Sequence, residues 1–256
     1  YPDTKFVFID GYVLKDSTGK ELKNIAAVSY HEEQCGYMAG YAAVVEGYTK
    51  LGFSGGGGGT NPACNRFANG YILGATEAAK EMKKSIEMRI SFLHGNTFSA
   101  SSELQAQING WYENGTEVVF SCGGSMVNSV IAAADAKNGK VIGVDTDQSK
   151  LSDRIITSAV KGLANSVKWA LGEFYAGKWE AIGGTGTQLG ATDDATGLPT
   201  AAASWKMTKF TVDEYNALLA KVKAGTIKIN ISEYDEALTW VENLTVDGTI
   251  TVALEK

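Results

Sequence analysis

The residues with the clearest chemistry stand at the ends of short apolar runs. Asp145-Thr146-Asp147-Gln148 directly follows VIGV, and a carboxylate there can accept two hydrogen bonds from a vicinal diol such as that of ribose. The competing readings are a turn or helix-cap aspartate, common at strand ends, and a D-x-D calcium loop. The calcium loop lacks its required glycine and its distal bidentate glutamate. Ligand contact is preferred to capping at Asp145, and the two stand level at Asp147. Cys122-Gly123-Gly124-Ser125 ends VVFS and opens a helix. Its glycines let a ligand approach the backbone, and a helix start offers free N–H donors. A helix N-terminus also lowers a thiol pKa, so a nucleophilic Cys122 is conceivable. The histidine bases are only His31 and His94, however, and neither falls at a recognisable partner position. A small buried thiol is the preferred reading of Cys122.

Other strand ends carry Asp10-Gly11 after KFVFI, the stretch Asn96-Thr97-Phe98, and Lys161. Phe98 either stacks on a ligand ring or fills the core. His94 reads as structural, and His31, beside Glu32 and Glu33, has no second cluster with which to bind a metal. The five glycines 55–59 are not followed by the Gly-Lys-Ser/Thr of a phosphate-binding loop, so a hinge or turn is expected there. Carboxylates, backbone N–H groups, one amine and one aromatic make a recognition set, not a nucleophile–base set. No catalytic residue, metal or cofactor is expected.

The elements that must position these residues alternate. Strands are expected at 5–9, 24–29, 51–54, 85–93, 117–121, 140–144 and 154–160, and helices at 32–47, 66–83, 102–112, 126–136 and 163–175. This alternation implies right-handed βαβ units and a mostly parallel sheet covered on both faces. Ligands of such sheets bind beyond the carboxyl ends of the strands, where the candidates stand. Residues 181–206 read as loop plus edge strand. Thr211 and Glu214 form a capping box for a helix bearing Tyr215, Leu218, Leu219 and Val222, and Gly225 is its expected stop. Trp111 and Trp169 fit the buried faces of helices.

The 23 Lys and Arg are scattered among 29 Asp and Glu, giving a net charge of −6. No basic face suited to nucleic acid is visible, and no run approaches the ~18 apolar residues of a membrane span. Cys35, Cys64 and Cys122 are an odd number and show no metal-type spacing. Tyr1-Pro2-Asp3 runs straight into a strand with neither initiator Met nor signal peptide, so a processed precursor or a missing part of the chain is expected.

Taken in order, KFVFIDG, EEQCGYMAGYAAV, KLGFSGG, NRFANGYILGA, TEVVFSCGGSMVNSV, KVIGVDTDQS, IITSAVKG and AGTIKI resemble the basic membrane protein family of solute-binding lipoproteins. The similarity covers roughly residues 1–230. It implies an α/β, type I periplasmic-binding-protein fold with two Rossmann-like lobes and a hinge, closing on a purine nucleoside that is passed to an ABC transporter permease. The lobes would be 1–58 plus 160–182 and 59–159 plus 183–256, with crossovers near 55–62 and 158–162. By position, Asp10 matches the family's base-contacting aspartate, Gly123 its cleft glycine, Asp145 its ribose-binding aspartate and Lys161 a nearby lysine. Phe98 and Gly124 complete the expected ligand set. The family's Asp-Asp-x-Ser-Phe-Asn segment is absent, which implies that the first lobe lacks its N-terminal part. The register of a stacking aromatic is open between Val119 and Phe120. The implied location is extracytoplasmic, as a cell-surface lipoprotein or in the periplasm, held to the membrane only by a lipid anchor outside these residues. A sugar or autoinducer receptor of the same fold and a Cys122-dependent enzyme are the alternatives.

Overall fold

The computed structural model describes residues 1–229 and 248–255. The elements in order are β1 (Phe6–Ile9), β2 (Ile25–Tyr30), α1 (Glu32–Glu46), β3 (Lys50–Gly55), α2 (Pro62–Glu81), β4 (Ile86–Ser91), α3 (Ser102–Glu113), β5 (Val118–Cys122) and α4 (Val127–Lys137). They continue with β6 (Lys140–Asp145), β7 (Ile155–Lys161), α5 (Leu163–Tyr175), α6 (Trp179–Ile182), β8 (Gly186–Leu189), β9 (Thr196–Gly197), α7 (Val212–Lys223) and β10 (Ile250–Glu255). The chain divides into two units, each discontinuous in sequence. Unit 1 is 1–31 with 161–196, and unit 2 is 32–160 with 197–256.

Unit 2 is built on a sheet with the order β10-β4-β3-β5-β6-β7-β9. Its registered pairs are parallel, for example Phe53↔Ile90 and Phe53↔Phe120. Val118–Cys122 is buried at every position, as a strand covered on both faces must be. One face meets α2, where Phe53, Phe67, Tyr71 and Phe120 pack their rings at 5.2–6.2 Å, mostly edge to face. The other face meets α3 and α4, where Leu104, Ile108, Trp111, Val130, Val119 and Val141 share one cluster.

Local chemistry sets the helix starts. Asn61 caps α2 by accepting from the N–H groups of Ala63 (3.0 Å) and Cys64 (3.2 Å), with Pro62 at the first helical position. The helix therefore begins four residues ahead of the expected 66. Gly70 and Gly74 lie inside α2 because α1 touches it backbone to backbone: a methyl at either would stand within 2.0 Å of the Glu33 or Tyr37 carbonyl oxygen. The expected capping box is present, Glu214 N–H donating to Thr211 Oγ1 (3.2 Å) and Thr211 N–H to the Glu214 carboxylate (2.8 Å).

Unit 1 is a three-stranded parallel sheet with the order β1-β2-β8. Val28, Tyr30, Leu189 and Ala195 form its core, with Ile9, Leu163 and Trp169 packed against them.

This division differs from the expected lobes. Residues 32–58 lie in unit 2, because β3 is hydrogen-bonded between β4 and β5. Residues 183–196 lie in unit 1, because β8 pairs with β2. The glycine run is accordingly no crossover. Gly56 N–H donates to the Cys122 carbonyl (2.8 Å) and Gly57 N–H to the Gly95 carbonyl (3.0 Å), which binds the run inside unit 2. Residues 230–247 and 256 of the expected second lobe lie outside the described residues.

Candidate functional site

The sequence candidates fall into two groups, one in each unit. In unit 2, Phe98, Gly123 and Gly124 come together beyond the ends of β4 and β5. The Phe98 ring occupies the space a side chain would need at Gly56: a methyl there would stand 2.3 Å from the ring. A methyl at Gly123 would stand 3.3 Å from the same ring and 2.6 Å from Met126 Sδ. The Phe98 carbonyl accepts from the N–H of Ser125 (3.1 Å) and from its hydroxyl (3.3 Å), tying the loop to the start of α4. Gly124 is exposed, with φ at +41°.

Asp145 ends β6, the next strand. Its turn is closed by Thr146 N–H donating to the Val144 carbonyl (2.7 Å), Val144 N–H to Gln148 Oε1 (3.0 Å) and Gln148 N–H to Ser158 Oγ (3.1 Å). Asp147, left level between two roles by its sequence, is a turn residue. One of its oxygens accepts from Ser149 N–H (3.0 Å) and the other from the Ser204 hydroxyl (2.5 Å). Burial pushes its carboxyl upward, but these bonds outweigh burial and hold it below the usual carboxylate range.

In unit 1, Lys161 Nζ donates to both oxygens of Asp10, at 2.8 and 3.0 Å. The lysine side chain is 3% exposed and the aspartate 41%, so the ammonium lies beneath a carboxylate that faces outward. The ammonium also sits 5.6 Å from the centre of the Tyr30 ring. The Tyr30 hydroxyl is 2.6 Å from Ser166 Oγ, which donates to the Gly162 carbonyl (3.2 Å). Ser166 thus accepts the tyrosine proton, and the ring beneath Lys161 is fixed.

Six described non-glycine residues have a positive φ, and three of them are candidates: Asp10 (+59°), Phe98 (+58°) and Asp145 (+62°). Aspartate enters the left-handed region at modest cost, whereas a phenylalanine pays roughly 1–2 kcal/mol there. Such backbone persists only where surrounding bonds enforce it, and it concentrates at functional sites. Sequence reasoning missed Tyr30, Ser166, Gln148 and Ser204. Gln148 was at least part of the quartet at 145–148; the others carry no local signal, since their partners lie far away in the chain. Cys35, Cys64 and Cys122 are buried thiols.

Comparison with known proteins places the chain in a family. Residues 1–233 match the family described as ABC transporter substrate-binding protein PnrA-like. The chain is 32% identical over 185 residues to basic membrane protein B of Borreliella burgdorferi, covering 70% of this chain and 51% of that protein. It is 28% identical over 176 residues to the ABC transporter nucleoside-binding protein BmpA of Lactococcus lactis, covering 61% of this chain and 48% of the relative. The chain thus spans about half the length of the curated relatives it matches. Among solved structures, an ABC transporter solute-binding protein from Aeropyrum pernix superposes with a TM-score of 0.71 at 19% identity, over 95% of this chain and 75% of that one. This likeness shows the fold, a type I periplasmic-binding-protein fold. Because one family model matches the chain over residues 1–233, the chain belongs to the PnrA-like ABC transporter substrate-binding proteins.

Proposed function

We propose that this chain is the ligand-binding part of an extracytoplasmic receptor that delivers a purine nucleoside to the permease of an ABC importer. The observation that carries the reading is the left-handed backbone held at Phe98 and Asp145 in unit 2 and at Asp10 in unit 1, at or just beyond the carboxyl ends of parallel strands. The name of the Lactococcus relative, a nucleoside-binding protein, supports the ligand class.

In this reading the Asp145 carboxylate accepts from the ribose hydroxyls, and the Phe98 ring, braced from behind by Gly56 and Gly123, stacks on the base. A carboxylate has about four acceptor positions. In unit 1, Lys161 fills two at Asp10, leaving the carboxylate's outward side to accept an N–H donor. Lys161 then serves mainly to orient Asp10. Ligand favours a closed form only through its greater affinity for that form, and no covalent step is involved. Among the described residues no helix is long and apolar enough to cross a membrane, and attachment is assigned to a lipid anchor outside this chain.

Calorimetric titration with guanosine, adenosine, inosine and ribose tests the reading. Nucleoside binding is expected, and Asp145→Asn should weaken it about tenfold or more, since hydrogen bonds to charged groups contribute about 1.5–3 kcal/mol. Full affinity in Asp145→Asn would remove Asp145 from the site. Binding of ribose without nucleosides would make the protein a sugar receptor, and turnover abolished by Cys122→Ser would make it an enzyme.

A further inference from the structure

The turn that carries Asp145 is held from a distance. Ser204, which is buried, donates to Asp147, and Lys206 Nζ donates to the carbonyls of Ser149 (3.0 Å) and Ser152 (3.1 Å) and to the Asp153 carboxylate (2.9 Å). The Lys206 N–H also donates to the Ile156 carbonyl (3.0 Å). A few residues further on, the same segment is pinned to the end of α1. There the Glu46 carboxylate accepts from the N–H groups of Thr208 (2.9 Å), Lys209 (2.8 Å) and Phe210 (3.0 Å). Trp205 closes the segment on itself by donating Nε1–H to the Phe210 carbonyl (2.9 Å). All of these residues belong to unit 2.

We propose that residues 204–210 form a strap whose Ser204 and Lys206 are positioning residues for Asp145. They fix the loop 145–153 and so present the Asp145 carboxylate pre-oriented, without touching ligand themselves. The inference rests on the reading of Asp145 as a ligand contact. The physical argument is that Asp145 stands in a left-handed turn closed on its own segment by the side chains of Gln148 and Asp147. The neighbouring Asp147 is satisfied on one side only by the distant Ser204. Without the strap, part of the loop's order would have to be imposed when ligand binds, and affinity falls by that cost.

The test combines two readouts on the full chain. Amide exchange is followed without ligand at Val144, Gln148 and Ser149, whose N–H groups close the turn. Guanosine affinity is followed by calorimetry. Ser204→Ala should speed exchange at these three amides while leaving β3 and β5 unchanged, and should weaken guanosine binding about three- to tenfold. Ser204→Thr, which keeps the hydroxyl, should restore both, and Lys206→Met should act like Ser204→Ala. Unchanged affinity in Ser204→Ala beside a lost affinity in Asp145→Asn overturns the positioning role alone. Exchange that rises equally throughout β3 and β5, or a threonine variant that fails to restore binding, also overturns it. Asp145→Asn with full affinity overturns the reading on which it rests.

Discussion

The two units mount their candidate residues on very different foundations. In unit 2 the loops bearing Phe98, Gly123 and Asp145 leave a sheet whose central strands are buried on both faces. In unit 1, Asp10 follows β1, an edge strand on which Phe6, Val7 and Phe8 are 43, 37 and 41% exposed. Successive residues of a strand point to opposite faces, so β1 is open on both. The sheet therefore holds Phe98 and Asp145 from below, whereas Asp10 depends far more on its one ion pair with Lys161. In unit 2 a buried sheet and a set of hydrogen bonds share the task of positioning, whereas in unit 1 it falls mainly to the ion pair.

This contrast can be broken in three ways. The largest effect is expected in the unit 2 core. Phe120→Ala removes a ring that contacts Phe53, Phe67 and Tyr71, and should cost about 3–5 kcal/mol in denaturant unfolding. Phe8→Ala in unit 1, an equal change in composition, should cost less than about 1 kcal/mol. Equal losses would mean that β1 is far better packed than its exposure indicates.

An intermediate effect is expected from Asp10→Ala, which removes a hydrogen-bonded carboxylate from the buried Lys161 ammonium, at about 1–3 kcal/mol. Amide exchange should accelerate in β1 and β2 and stay unchanged in β3 and β5. Acceleration in all four would show that the units unfold together.

The smallest effect concerns pH and belongs to unit 2. At Glu46, burial raises the carboxyl, but donors from Thr208, Phe210 and Lys209 outweigh it, and the group lies below the usual carboxylate range. Asp147 is likewise depressed. A depressed carboxyl stabilises the fold fully above its unfolded value, about 4 for these groups, and loses that contribution as pH falls through its folded value. Glu46→Gln should therefore reduce the stability difference between pH 7 and pH 4 by about 1 kcal/mol or less. An undiminished difference would place the acid sensitivity of unit 2 elsewhere.

Much of the local structure was legible in the chain. The unbroken apolar runs at 118–121 and 141–144 announced strands covered on both faces, and Thr211 with Glu214 announced a helix start, because each signal lies within a few residues. The helix through Gly70 and Gly74 was legible but unexplained until α1 was seen to touch it there. The strand β10 was not anticipated, although its Glu255 accepts from Trp111 Nε1 (2.9 Å) and Gln107 (3.1 Å), more than a hundred residues away. The compact units differ from the expected lobes at 32–58 and 183–196 for the same reason. Whether 32–58 joins one sheet or another depends on strand pairing, which local composition does not encode.

The candidate residues divide along the same line. Residue type and position after a strand made Asp10, Phe98, Asp145 and Lys161 candidates, but left a turn or cap role for the aspartates and a core role for Phe98 open beside ligand contact. That Asp10 and Lys161 are partners and that Asp147 is a turn residue held by Ser204 were decided only by the tertiary structure. So was the fit of the Phe98 ring into the space left by Gly56. A hydrogen bond acts over about 3 Å, and which groups come that close across 57 or 151 residues of chain is settled by the packing of the sheets.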